Sequence, residues 1–164
     1  MIDISKAFGT SSETISAFFQ QPGVGYYIPL YQREYSWDEE NVEQLMDDIC
    51  HGVEGLLAKD ESIRFMGTVI LVKEHNPAVN IQPQDNRALP SMINNVIDGQ
   101  QRISTIALLG CLLYQRLHQL RQLLPSDATY EGLREATDSY LATLQELFSV
   151  DIRRGDPQRK PIII

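Results

Sequence analysis

Apolar positions recur with two different periods along this chain, and the clearest change from one to the other falls within NNVIDGQQRISTIALLGCLLYQRL, residues 94–117. Val96 and Ile97 are β-branched and read as the end of a buried strand, whereas Ile103, Ile106, Ala107, Leu113 and Leu117 recur at helical spacing. Gly99 is the hinge between them. The helix is apolar nearly all round in its first half, which predicts burial between layers, and amphipathic later, where Arg116 and Arg121 emerge. Upstream, Ile15, Phe18 and Phe19 form one face of a short helix ended by Pro22-Gly23, and Tyr26 to Ile28 read as a strand that Pro29 places at a sheet edge or strand end. Ser36 and Glu39 have capping-box spacing, so a helix starts near Trp37 or Asp38 with Val42, Leu45, Met46, Ile49 and Val53 as its apolar stripe. FMGTVILV, residues 65–72, reads as a strand whose long apolar run predicts a central position. The proline- and asparagine-rich stretch from Lys73 to Asn95 reads as a long mobile loop. After Pro125-Ser126-Asp127, a helix over about 128–149 buries Leu133, Ala136, Tyr140, Leu144 and Leu147 and pairs antiparallel with its predecessor. Arg153-Arg154-Gly155 then makes a turn, and Pro161 to Ile164 begins a strand. Together these elements predict an α+β fold, a small mixed sheet packed with helices and extended by a C-terminal helical pair.

Composition narrows the partners. With 164 residues, 43% hydrophobic and 22% charged, the chain is long enough for a real core. A net charge of −8 opposes binding nucleic acid through broad phosphate neutralisation. Cys50 and Cys111 have no metal-ligand or CxxC spacing and read as core thiols in a reducing compartment. Without a charged-then-apolar leader or a bilayer-length apolar run, the expected location is the cytoplasm. Glu39, Glu40, Glu43, Asp47 and Asp48 lie opposite the apolar stripe of their helix and read as a solvated acidic face.

The polar residues concentrate in two places. A helix starting at Gly99 leaves first-turn N–H groups without intrahelical partners at the positive end of its dipole, which attracts anions including phosphate. Gln100, Gln101 and Arg102 add side-chain donors there, and Ser104 and Thr105 add hydroxyls. The alternative is that Asp98 caps the helix and the donors form a solvated first turn. Gln32, Arg33, Tyr35 and Trp37 make the second cluster, suited to a phosphate and a planar base; packing is the alternative for the two aromatics.

IPLYQREYSW (28–37), FMGTVIL (65–71) and VIDGQQRISTI (96–106), in this order, make the chain resemble the N-terminal domain of GmrSD-type modification-dependent restriction systems. The resemblance implies a ParB/sulfiredoxin-like fold in which a Gly-x-x-Arg turn, here Gly99 to Arg102, holds nucleotide phosphates. It implies a nucleotide-binding domain over residues 1–124 and the start of a helical extension over 125–164, in a chain expected to continue into a longer protein. Ser104-Thr105 stands where the family typically has Thr-Thr and retains both hydroxyls. The turn lacks the cysteine that sulfiredoxin chemistry requires. His51, His75 and His118 are scattered, so any His-Asn-His nuclease belongs to the remainder of the protein or to a partner. The leading expectation is a nucleoside-triphosphate-hydrolysing regulatory domain of a DNA restriction, anti-phage system. A DNA-contacting partition-like module and a non-catalytic structural domain are the alternatives. In the first reading Gln32, Arg33, Tyr35, Gly99, Arg102, Ser104 and Thr105 bind the nucleotide and its phosphates. Asp98, with magnesium bridging it to the phosphates, orients the attacking water, and Gln100 or Gln101 positions water or γ-phosphate oxygens.

Overall fold

A computed structural model describes residues 9–21, 23–29, 31–32, 34–59, 62–75 and 92–147, together with the backbone of 149–151 and 159–161. Arg33, Pro22, the turn expected at Arg153 to Gly155, most of the expected 73–95 loop and Ile162 to Ile164 lie outside these residues. In chain order the elements are α1 (Ile15–Phe19), β1 (Val24–Tyr27), α2 (Glu39–Ala58), β2 (Ile70–Glu74), β3 (Met92–Asp98) and α3 (Gln100–Leu123). A 3-10 turn (Ala128–Tyr130), α4 (Glu131–Leu147), β4 (Ser149–Asp151) and β5 (Arg159–Pro161) follow. The fold is α+β, with a three-stranded mixed sheet of order β1-β3-β2 and a two-stranded β4-β5 pair.

β1 runs parallel to β3, with Val24 opposite Met92 and Tyr27 opposite Asn95, while β2 runs antiparallel to β3 with an irregularity between Ile70 and Leu71. The central strand is therefore β3, and β2 lies beside it in an outer position, contrary to the expectation from its apolar run. That run also does not become strand at once. Gly67 has φ +107, left-handed backbone that interrupts extension, so pairing begins at Ile70 and Phe65 is left 77% exposed.

α1 starts where Thr14 Oγ1 accepts from the Ala17 N–H at 3.1 Å. It delivers Phe18 and Phe19 to Tyr26 of β1: Phe18 stacks on the ring at 4.4 Å and Phe19 meets it edge-on at 6.3 Å. The buried Tyr26 hydroxyl donates to the Phe18 carbonyl at 2.5 Å, and burial, with the nearby Glu13 charge, raises its pKa far above the usual phenol value. Phe19, Val24, Tyr26, Val96 and Ile103 form the core, with Phe18, Ile28, Val69, Leu71, Ile106 and Leu147 packed against it. Each such side chain contributes about 1.5–3 kcal/mol when fully buried.

α2 begins at Asp38, whose carboxylate accepts from the Asn41 N–H while Asn41 Oδ1 accepts from the Asp38 N–H. The box thus sits two residues beyond the expected Ser36. Leu45 is buried, Val42, Met46 and Ile49 are half-buried, and Val53 is exposed. Asp48 on the polar face accepts from Arg64, which holds its carboxyl below the usual carboxylate range.

α3 buries one side only. Gln100, Ile103, Thr105 and Gly110 are enclosed, whereas Leu108, Leu112 and Leu113 are exposed, so the first half is not sandwiched between layers as its composition predicts. α4 packs on α3, joined by a short turn that Arg134 fastens by donating to the Pro125 and Asp127 carbonyls. Arg121 and Asp138 add a bidentate pair at 2.8 and 2.9 Å. On α4, Thr137 is the buried residue; Leu133, Ala136 and Tyr140 are exposed and Leu144 and Leu147 half-buried, correcting the expected stripe. Ser149 lies in β4 rather than the helix. Cys50 and Cys111 are exposed free thiols, not core residues, because each faces away from its helix's packed side. Among the described residues no helix is long and apolar enough to cross a membrane.

Candidate functional site

The β3–α3 junction forms one wall of an open cleft of about 460 Å³ lined by Tyr31, Gln32, Trp37, Ile97 and residues 98–102. Its shape follows from backbone geometry. Gly99 is the N-cap of α3 with φ +87, and no side chain caps the helix. A Cβ there would meet Val69 Cγ2 at 3.0 Å and the Thr68 carbonyl at 3.1 Å, so glycine is required both for the turn and for close approach of the 67–69 segment. Asp98 does not cap the first turn, as one sequence reading had it; one oxygen accepts from the adjacent Gly99 N–H at 2.8 Å, and the side chain is exposed. The first turn of α3 contains no acidic residue, so the positive end of a long helix faces the cleft with Asp98, just before the N-cap, as the carboxylate beside it.

The segment 31–37 is fastened over this junction by side chains. β1 pairs with β3 as far as Tyr27 opposite Asn95, so the Val96 carbonyl lies beyond the last paired position. Gln32 Nε2 donates to it at 2.6 Å. Gln101 serves the segment from the other side: its Oε1 accepts from the Ser36 N–H and its Nε2 donates to the Glu34 carbonyl, each at 3.1 Å, so one amide acts as a strand partner would. Thr105 Oγ1 donates to the Gln101 carbonyl at 2.7 Å. Its single proton being used there, it accepts from the Tyr35 hydroxyl at 2.8 Å.

Arg102 is held differently. Its guanidinium lies 5.9 Å from the Trp37 ring centroid, a cation–π distance, and reaches toward the Thr68 carbonyl at 3.5 Å. Gly67 presents bare backbone beneath it.

Of the residues singled out from sequence, Gln32, Trp37, Asp98, Gly99, Gln100, Gln101 and Arg102 line the cleft. Tyr35 and Thr105 stand behind it as a linked pair, and Ser104 is half-buried on α3 outside the lining. Sequence reasoning missed Tyr31, Ile97 and Gly67. Tyr31, 80% exposed, is adjacent to Gln32 in the same motif, and Gly67 is a breaker inside an apolar run; both were visible signals. No group of three or more His, Cys, Asp or Glu that could hold a metal ion occurs among the described residues, and Glu39, Glu40, Glu43 and Asp47 on the acidic face of α2 are exposed.

The model of the GmrSD restriction endonuclease N-terminal domain matches residues 15–158 of this chain. The chain belongs to that family. The match covers all three motifs and crosses from the sheet into the helical pair, so in this GmrSD N-terminal domain the cleft and the extension fall within one family unit. Membership in a restriction system gives the chain a defence-related role. A search of curated proteins found no match.

Proposed function

We propose that the cleft binds a nucleoside triphosphate, phosphates at residues 99–102, and that the protein containing this domain hydrolyses it to regulate restriction. The observation carrying this reading is the start of α3, which no side chain caps and whose first turn holds no acidic residue, opening with the Arg102 guanidinium onto a cleft of small-molecule size. Neutral and cationic donors gathered at one helix end suit a compact polyanion far better than they suit a duplex, and the net charge of −8 points the same way. Contact with DNA then falls to the remainder of the protein or to a nuclease partner.

Each lining residue has a chemical assignment. Backbone N–H groups of the first turn and Arg102 donate to the phosphate oxygens, and Arg102 offsets charge building on the transferred group. Tyr31 offers an exposed flat ring for a base. Gln101 spends both ends of its amide on residues 34 and 36, so it holds the segment and leaves water positioning to Gln100. Thr105 and Tyr35 support that segment. Asp98 fits a triphosphate-bound magnesium: it is the one carboxylate among the lining residues, and one of its oxygens is already oriented by Gly99. A magnesium ion there would supply positive charge between carboxylate and phosphate.

Titration calorimetry with the four nucleoside triphosphates in magnesium tests the binding. Heat with at least one of them, with affinity weakened in Arg102→Ala, is expected. No heat with any of the four overturns the reading. For hydrolysis, Asp98→Asn in the intact protein keeps the Gly99 contact and is expected to stay folded while magnesium-dependent turnover collapses; turnover at the parental rate removes Asp98 from the mechanism.

A further inference from the structure

Arg102 is a long, flexible side chain, and such a group fixes an anion well only if something fixes it first. The surroundings divide that task between two residues from distant parts of the chain. Trp37, half-buried, lies at cation–π distance from the guanidinium. A Cβ at Gly67 would lie 2.5 Å from Arg102 Cζ and 3.0 Å from Nη2, well inside any tolerable contact. Glycine's lack of a side chain is therefore what admits the guanidinium, and φ +107 turns the 67–68 backbone so that the Thr68 carbonyl faces Nη1. Trp37 is itself kept in place by the Gln101 and Tyr35–Thr105 contacts on residues 34–36.

We infer that Gly67 and Trp37 are positioning residues for Arg102: bare backbone and an indole together form a slot that sets the guanidinium toward the phosphate end of the cleft. Its consequence for ligand binding rests on the triphosphate reading above. The slot itself does not. Because the clashing atoms are the far end of a flexible side chain, a methyl group at position 67 displaces Arg102 first, and the φ +107 backbone adds strain.

The test is a double-mutant cycle read in two ways. Triphosphate affinity is measured by calorimetry for the parent, Gly67→Ala, Arg102→Ala and the double variant, with thermal melts confirming that each is folded. The single variants are expected to lose about tenfold or more in affinity, equivalent to about 1.4 kcal/mol. In the Arg102→Ala background the position-67 change is expected to cost little more, because residues acting through one group are not additive. Equal losses in both backgrounds, or parental affinity in Gly67→Ala, overturn the inference. The second readout needs no ligand. Trp37 is the sole tryptophan, so its emission reports the guanidinium beside it. Arg102→Ala is expected to alter that emission, and Gly67→Ala to reproduce the change. If the parent binds no triphosphate, the binding reading fails while this arm still decides the slot, and parental emission in Gly67→Ala overturns it. Trp37→Phe, which keeps a ring, is expected to retain most affinity, and Trp37→Ala to lose it; equal behaviour of the two removes the indole from the account.

Discussion

At its first turn helix α3 is surrounded by side chains that complete one another's backbone hydrogen bonds, whereas at its last turns it meets α4 with a bidentate ion pair while Leu120 and Leu123 remain exposed. At the junction, Gln32 answers a β3 carbonyl beyond the β1 pairing, Gln101 answers two backbone groups of the 34–36 segment, and Thr105 ties the Tyr35 hydroxyl to α3. Along the distal pair, the ion pair faces water, and Leu133 and Tyr140 lack the enclosure that their spacing promises. A polar contact is specific where its partner is a fixed backbone group. It is weak where both ends are mobile and wet.

The largest contrast is expected in stability. Ile103 is enclosed in the core one turn into α3, and Ile103→Ala is expected to cost about 2–5 kcal/mol through lost burial and the cavity left behind. Leu112, 62% exposed on the same helix, is expected to change stability by less than about 0.5 kcal/mol when replaced by alanine. Urea unfolding followed by circular dichroism measures both, and similar midpoint shifts for the two variants would dissolve the contrast.

A smaller effect separates two glutamines. Gln101→Ala removes both bonds to residues 34 and 36 and is expected to cost about 0.5–1.5 kcal/mol per bond, with a change in Trp37 emission as its segment loosens. Gln122, exposed near the far end of α3, meets the His118 ring at 3.4 Å, and its alanine variant should be silent in both measurements. An unchanged Trp37 signal in Gln101→Ala would mean that the segment is held by something other than this amide.

The smallest effect belongs to the distal ion pair. The Arg121 hydrogen bonds, with its charge, hold the Asp138 carboxyl below its usual value of 3.8. Since the folded carboxyl titrates below the unfolded one, the pair's contribution is complete above that usual value and disappears as pH falls through the lowered folded value. Asp48 with Arg64 has the same sign. Both pairs are exposed, so Arg121→Gln is expected to flatten the acid limb of a stability profile only slightly, and less in high salt. A large loss at neutral pH would show that the helical pair depends on this bridge.

The same contrast explains what was legible in the sequence. Val96, Ile103 and the Gly99 hinge could be read because each obeys a local rule: alternation, helical spacing, and a conformation that other residues rarely adopt. The distal helices misled because periodicity identifies an apolar face without identifying what covers it, so Leu133 and Tyr140 were expected in a core and lie in the open. Asp98 misled as a possible cap because the residue type suits capping, yet the cap position belongs to Gly99 one residue on. Likewise Ser36 yielded to Asp38, since either spacing satisfies the rule and the path of the chain chooses. At the site, donors could be recognised from the motif, but not that Gln101 faces a backbone segment instead of a ligand. That depends on residues 34–36 arriving from far away in sequence.

The strand order β1-β3-β2 also governs when this molecule can take shape. β1 and β2 pair only with β3, which is made last of the three. During synthesis at about 5–20 residues per second, β1 emerges and waits on the order of several seconds before its partner exists. Its four buried positions, Val24 to Tyr27, are apolar or glycine, so in that interval a sticky strand is held without a sheet. Pairing across so long a separation also makes closure slow relative to local helix formation. Helix α2 can form on its own schedule, but the cleft cannot: segments 31–37 and 67–69 both dock on the turn that follows β3, and a nascent chain that has not yet exposed residues 98–102 has no site at all.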